Sequence, residues 1–391
     1  MSARRAGRAA RHGEAAGALP ALSGMSDLPS FDELAPTAGQ LEECSALVGS
    51  LARMRGIAAG ELSLGCVVRL DRGFPAVACA DATFRAEHAT SLAGPAAGLL
   101  PAVGDWVVVR RAPGHDMGVI EQVLARKSDI ARWRGGSRGE RQTLAANVDV
   151  VLVAQALGGR PVSVGRIARS VVVARDCGAD ASVVLTKADR VAHAGCFLDD
   201  VSRVRDALGE GVDVVACASG AAARGDELAG AARRAGIGWG DEAVRALVPA
   251  GVVGIVLGES GAGKSTLLNS LLGHAALETA GVRERDDAGR HTTVCRRMVS
   301  LPGAGVVVDE PGLRSLPLVG HEHGLSLVFP EVCEAAAGCR FRDCTHTSEP
   351  GCAVLAEVAA GRVPAERLDA YRALAAEMRD SRQGIDPDVT L

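Results

Sequence analysis

The chain has 391 residues, 48% of them hydrophobic and only 3% aromatic, enough for two or three domains whose cores must be built from Val, Leu, Ala and Ile. A formal net charge of −4 neither demands nor excludes a nucleic-acid partner, because basic side chains can be segregated on one face. Most of the eleven cysteines are scattered, which fits a reducing cytoplasm better than a secreted disulfide scaffold, and no apolar run reaches the roughly 18 residues of a membrane span.

The N-terminus carries Arg4, Arg5, Arg8 and Arg11 without the apolar segment of a signal peptide, and Met25 is an alternative start to Met1. Residues 1–50 read as a disordered basic tail and lead-in, with a helix expected over about 40–55. From residue 60 the texture becomes β-type, with short apolar runs at 66–70, 76–80, 106–110 and 117–124 separated by turn residues. A five-stranded OB-type barrel over 51–130 fits that length. Arg132, Arg134, Arg138 and Arg141 follow with Trp133 among them. They read either as a solvated linker or as a phosphate-contacting loop, since arginines beside a stackable ring suit RNA.

From Val148 apolar strands alternate with helical stretches, the pattern of a parallel α/β sheet covered on both faces, and 131–325 is assigned to it. Ligands bind such sheets at the carboxyl ends of the strands. One such end, after the apolar run 252–257, carries Gly258-Glu259-Ser260-Gly261-Ala262-Gly263-Lys264-Ser265-Thr266, a full G-x-x-x-x-G-K-[ST] phosphate loop running into a helix. Its backbone N–H groups can cradle phosphates, Lys264 can reach the outer ones, and Ser265 can place a hydroxyl on Mg²⁺.

Thr186-Lys187-Ala188-Asp189 ends another strand and parallels the Asn-Lys-x-Asp of guanine-nucleotide proteins. There the carboxylate accepts two hydrogen bonds from guanine N–H groups that adenine lacks. Thr186 in place of the asparagine is expected to weaken the brace to the phosphate loop more than the choice of base. Ala216-Cys217, ending the next strand, is a loose match to the small-residue loop that lets the base approach. Asp309-Glu310-Pro311-Gly312 ends the last strand, with Asp309 placed for the Mg²⁺ water shell and the Gly312 N–H for the γ-phosphate. Between them Gly289-Arg290-His291-Thr292-Thr293 supplies a switch threonine for Mg²⁺, either Thr292 or Thr293. The guanine motif precedes the phosphate loop, the reverse of the usual order, so the domain is circularly permuted.

Beyond it, over 326–391, Cys339-x₄-Cys344-x-His346-x₅-Cys352 offers three thiolates and one imidazole, a closed tetrahedral shell for one structural Zn²⁺. Arg340, Arg342 and Arg362 surround it, and 366–378 has helical spacing. Cys333 lies outside the pattern.

Together, GESGAGKST, GRHTT, DEPGL and CRFRDCTHTSEPGCAV resemble the circularly permuted small ribosomal subunit biogenesis GTPases of the RsgA type, over about residues 60–377. LAANVD at 144–149 is similar to that family's entry into the GTPase domain. The resemblance implies an N-terminal OB-fold, a permuted GTPase and a zinc domain. It also implies binding of GTP and GDP, contact with 16S rRNA, and hydrolysis stimulated by the 30S subunit late in its maturation. A cytoplasmic monomer with no membrane contact is the accompanying expectation. Thr186, Glu310 and the loose Ala216-Cys217 loop depart from the family pattern. Ras-type enzymes orient the attacking water with a glutamine after the D-x-x-G glycine. Leu313 stands there and cannot, so elimination and resemblance together leave His291 as the candidate. Two other classes compete: an ATP-using P-loop enzyme, against which Asp189 argues, and an RNA-binding scaffold with a decayed nucleotide site, against which Lys264, Ser265, Thr292 and Asp309 argue.

Overall fold

The computed structural model describes residues 27–71, 74–92, 100–112, 117–134, 140–218, 225–275, 296–310, 318 and 320–383. It starts with two capping boxes. Ser30 with Glu33 opens the turn Phe31–Leu34, and Thr37 with Gln40 opens the helix Ala38–Arg55. In each, a hydroxyl accepts the N3 amide while the N3 side chain returns to the cap, satisfying donors the helix start would otherwise orphan. The longer helix buries Cys44 and Leu51, and its Glu43 accepts the Ala125 N–H at 2.9 Å.

Five strands follow: β1 (Leu62–Asp71), β2 (Phe74–Cys79), β3 (Thr83–His88), β4 (Trp106–Arg110) and β5 (Met117–Val123). They hydrogen-bond in the order β1-β2-β3-β5-β4, and β4 returns to β1, so the barrel is closed. Only the β3–β5 pair is parallel. Alternation sends Val67, Val77, Phe84, Val107 and Ile120 inward, while Val68, Ala78 and Val108 join the main core outside. The sequence reading missed β3, which alternates but carries only two apolar residues, Phe84 and Ala86, and so offers no apolar run. In the Arg-rich stretch β6 (Asp129–Arg134) pairs antiparallel with β7 (Glu140–Ala146), and Arg138 lies outside the described residues.

The second sheet comprises β8 (Val150–Ala156), β9 (Asp180–Thr186), β10 (Asp213–Ala216), β11 (Gly238–Trp239), β12 (Val253–Leu257), β13 (Arg296–Ser300) and β14 (Val306–Asp309). Its order is β11-β10-β9-β8-β12-β14-β13, parallel except for β13, which runs antiparallel to β14. Helices Val164–Asp176 and Ala194–Leu208 cover one face, and Gly240–Ala246 and Lys264–Leu272 cover the other. β13 also pairs with β1, Arg69 opposite Arg297 and Leu70 opposite Arg296, so barrel and α/β sheet form one continuous ladder.

A polar joint reinforces that seam. Arg126 donates to both oxygens of Asp105 at 2.7 Å, to Thr143 at 2.7 Å and to the Leu100 carbonyl at 3.0 Å. Asn147, in the left-handed region at φ 54°, donates to the Gly104 carbonyl at 2.9 Å and accepts the Lys127 N–H at 3.0 Å. Gly104 must be glycine, since a Cβ there would stand 2.1 Å from the Ala146 carbonyl oxygen.

The C-terminal helices Glu322–Val328, Pro330–Ala336, Ala353–Ala359 and Ala365–Gln383 dock on the Ala194–Leu208 side of the sheet. Buried Arg367 donates to the carbonyls of Val328 at 2.5 Å and Ala207 at 3.2 Å, pairs with Glu331, and lies over the Phe329 ring. Among the described residues no helix is long and apolar enough to cross a membrane.

Candidate nucleotide site and metal centre

The phosphate loop leaves the central strand β12, which β8 and β14 flank. A Cβ at Gly258 would lie 2.5 Å from the Ala154 carbonyl oxygen, so only glycine lets the loop pass β8. Gly263, at φ 87°, is the N-cap of the helix Lys264–Leu272. The first amides of that helix have no intrahelical acceptor, which with the helix dipole makes an anion site. Lys264 lies back across the loop, donating to the Gly258 carbonyl at 2.5 Å and the Glu259 carbonyl at 3.1 Å. Ser260, Ser265 and Thr266 line the same turn, and Glu259 pairs with Arg166 at 2.9 Å on the exposed rim.

The guanine motif meets this loop directly. Thr186, 1% exposed, donates its hydroxyl to the Ala262 carbonyl at 2.6 Å. Thr186 therefore makes a brace to the phosphate loop through a buried hydroxyl. Lys187 adopts φ 57° and donates to the Gly261 carbonyl. Burial, then Arg190, holds its ammonium below the usual lysine range despite Asp189. Asp189 stands exposed in the 3₁₀ turn Ala188–Arg190. That turn is tied to the next loop by Ala188 N–H to the Cys217 carbonyl at 3.1 Å, and Cys217 N–H returns to the Leu185 carbonyl at 2.9 Å. Ala216 and Cys217 are both buried. Burial first, then Asp241 and Asp189, pushes the Cys217 thiol up to about 12, so it lines the base loop as a neutral group.

Asp309 ends β14 beside the loop, since Ile255 of β12 is paired with Val308. Val307, two residues back, packs with Leu267 and Leu268 of the phosphate-loop helix. Strand alternation therefore puts the Asp309 carboxylate on that helix's side. Ser265 in the first helical turn and Asp309 at the end of the adjacent strand are both oxygen donors, the kind that Mg²⁺ takes. His291, Thr292, Thr293, Gly312 and Leu313 lie outside the described residues. Sequence reasoning overlooked the partner of Glu310. Arg296 lies 2.5 Å from it, with side chains only 14% and 4% exposed. An acidic residue departing from the motif was the available signal.

In the C-terminal region Cys339, Cys344, His346 and Cys352 converge, their ligand atoms all within 4.8 Å of one another. Tetrahedral zinc, with Zn–S near 2.3 Å and Zn–N near 2.0–2.1 Å, requires S–S edges of about 3.8 Å and S–N edges of about 3.6 Å. Cys339 Sγ to Cys352 Sγ is 3.8 Å, and His346 Nδ1 lies 3.6 Å and 3.4 Å from those sulfurs. The residues fit the ion. For Cys339, burial raises the thiol, yet the Val354 and Ala353 amides outweigh it and the net shift favours thiolate. Cys344 is pushed up to about 11, by desolvation first and then by its neighbour thiols, a cost that a bound cation reverses. Cys333 stays out of the cluster and is hydrogen-bonded to Tyr371.

The RsgA GTPase family model matches residues 235–319, from before the phosphate loop to just past the D-x-P-G motif. A small ribosomal subunit biogenesis GTPase RsgA of Streptomyces coelicolor is 41% identical over 321 residues, 82% of this chain and 81% of its own length. This chain belongs to the RsgA GTPase family. A second relative of that description, from Opitutus terrae, is 38% identical over 82% of this chain and 83% of its own. YjeQ from Thermotoga maritima superposes with TM-score 0.56 at 21% identity, covering 81% of this chain and 99% of its own. YloQ, described as a circularly permuted GTPase, gives 0.54 at 20% identity, covering 82% and 96%. At those identities the two structures show the fold: an RsgA-type permuted GTPase sheet, preceded by a closed barrel and followed by a Cys₃His cluster.

Proposed function

We propose that this chain hydrolyses GTP as an assembly factor in late maturation of the 30S ribosomal subunit, in the cytoplasm, contacting 16S rRNA and accelerated by the subunit. One observation carries the guanine assignment: the Asp189 loop is bolted to the phosphate loop through Thr186 to Ala262 and Lys187 to Gly261. Base and phosphates are thus held at a set distance by hydrogen bonds within one site. Two relatives over 80% of their length carry the ribosomal role in their names.

In this reading the phosphate-loop amides and Lys264 hold the β- and γ-phosphates, while Asp189 accepts from the guanine edge. Ser265, one of Thr292 or Thr293, and Asp309 through water would hold Mg²⁺, which would supply charge neutralisation at the phosphate oxygens. The Gly312 N–H reports the γ-phosphate. His291 orients the attacking water, because Leu313 has no group to do so. Zn²⁺ on Cys339, Cys344, His346 and Cys352 is structural: four protein ligands leave no open position for substrate.

The test is the GTPase rate with and without purified 30S subunits at two salt concentrations. Stimulation that falls as salt rises is expected, because phosphate-backbone contacts weaken steeply with ionic strength. His291→Ala should lower the stimulated rate by about 10²-fold. Absence of stimulation at either salt overturns the ribosomal reading, and an unchanged stimulated rate in His291→Ala overturns that residue's role.

A further inference from the structure

Glu310 and Arg296 do chemistry that the nucleotide motifs leave unassigned. Arg297 is the cross-strand partner of Asp309, so Arg296 stands directly opposite Glu310, one step further along the same antiparallel ladder. Their side chains meet at 2.5 Å and are nearly withdrawn from solvent. Met298 and Val308, next on the same face, are fully buried in the core opposite the phosphate-loop helix. Asp309 therefore projects from one face of β14 while its successor is gripped from the other. A buried pair of this kind is poor evidence for stability, because desolvation offsets much of the Coulombic gain. What it does supply is position: Arg296 Nε and Glu310 Oε2 are held in close contact where the two strand ends meet. The far side of β13 is paired with β1 of the barrel at Arg69 and Leu70. Asp71, next along β1, is held in turn by Arg69 and Arg85 at 2.7 Å each. β13 is thus fixed from both sides.

We propose that the Arg296–Glu310 ion pair is a positioning clasp for Asp309, setting the Mg²⁺-side carboxylate by holding the last residue of the β14 ladder against a strand anchored to the barrel. The proposal rests on the assignment of Asp309 to the Mg²⁺ side of the nucleotide site. In this role Arg296 and Glu310 are positioning residues, acting through the backbone of Asp309.

The measurement is release of a fluorescent GDP (mant-GDP) from the full chain as Mg²⁺ is titrated. It needs neither hydrolysis nor ribosomes. Arg296→Met and Glu310→Gln should each raise the Mg²⁺ concentration that half-protects bound GDP by about tenfold, the scale of losing a partner that orients a metal ligand. GDP affinity without Mg²⁺ should stay within about twofold. The double variant Arg296→Met/Glu310→Gln should remain as impaired as either single, because the clasp is absent in all three. Arg296→Lys, which keeps the charge but loses the guanidinium, serves if the neutral variants do not fold, with a shift of about threefold or more expected. Recovery of the wild-type Mg²⁺ midpoint in the double variant would show mere charge compensation and overturn the clasp, as would unshifted midpoints in the single variants or Arg296→Lys. Wild-type GDP release that ignores Mg²⁺ would instead defeat the nucleotide-site reading on which the clasp depends.

Discussion

In the proposed function Asp189 carries the choice of base through one carboxylate. Asp189→Asn would replace an acceptor by an amide that faces the guanine N–H with a donor of its own. We expect the KM for GTP to rise by about 10²-fold or more and xanthosine triphosphate, whose O2 is an acceptor, to become the better substrate in steady-state assays. Unchanged preference would favour an adenine enzyme. This residue was legible in sequence because its motif closes a buried strand. Thr186 was legible only as a departure. Its hydroxyl reaches a carbonyl 76 positions away, and no local pattern shows whether a β-branched side chain spans that gap. The gap is set by how β9 and the phosphate loop pack, which is decided by the sheet. Cys217 is similar: its small size was read from sequence, its neutrality follows from burial.

The zinc loop is the element whose stability should depend most on ligation. Cys352 is both a member of the Cys₃His cluster and the N-cap of Ala353–Ala359, its Sγ accepting the Leu355 N–H at 3.4 Å. His346 sits at φ 60° and is buried beside Tyr371 of the long C-terminal helix. Burial lowers the His346 imidazole below its ordinary 6.5. Between the lower folded value and 6.5 the unfolded chain binds more protons, so stability falls as pH drops through that window. Proton competition for the thiolates acts in the same direction. Acidification below about pH 6, or a chelator at neutral pH, should therefore release zinc and lower the melting temperature, read by a colorimetric zinc dye and calorimetry together. Zinc retained through pH 5 would refute this. The ligand spacing was readable because metal geometry constrains residues close in sequence. The helix cap was not, because it depends on where the thiol points.

Across the whole molecule, barrel and GTPase sheet are joined by a backbone ladder and a buried polar joint rather than by a free linker. Arg126 has a side chain 5% exposed and Asp105 none, and burial raises the Asp105 carboxyl even with Arg126 beside it. Arg126→Met would strand that carboxylate, and equilibrium denaturation should show a loss of about 3–5 kcal/mol. A loss under about 1 kcal/mol would mean the joint is wet and dispensable. The sequence by itself marked the phosphate-loop and T-K-x-D motifs, their permuted order, and Cys339, Cys344, His346 and Cys352 as one cluster, because each is a short-range code in which chemistry dictates residue type and spacing. Only the tertiary structure decided that β1 joins β13, that Arg296 clasps Glu310, and that Thr186 braces the loop. Those are pairings between segments far apart in the chain. Strands with similar apolar alternation are interchangeable partners until the folded sheet selects one register, and buried charges show their mates only once the core has closed around them.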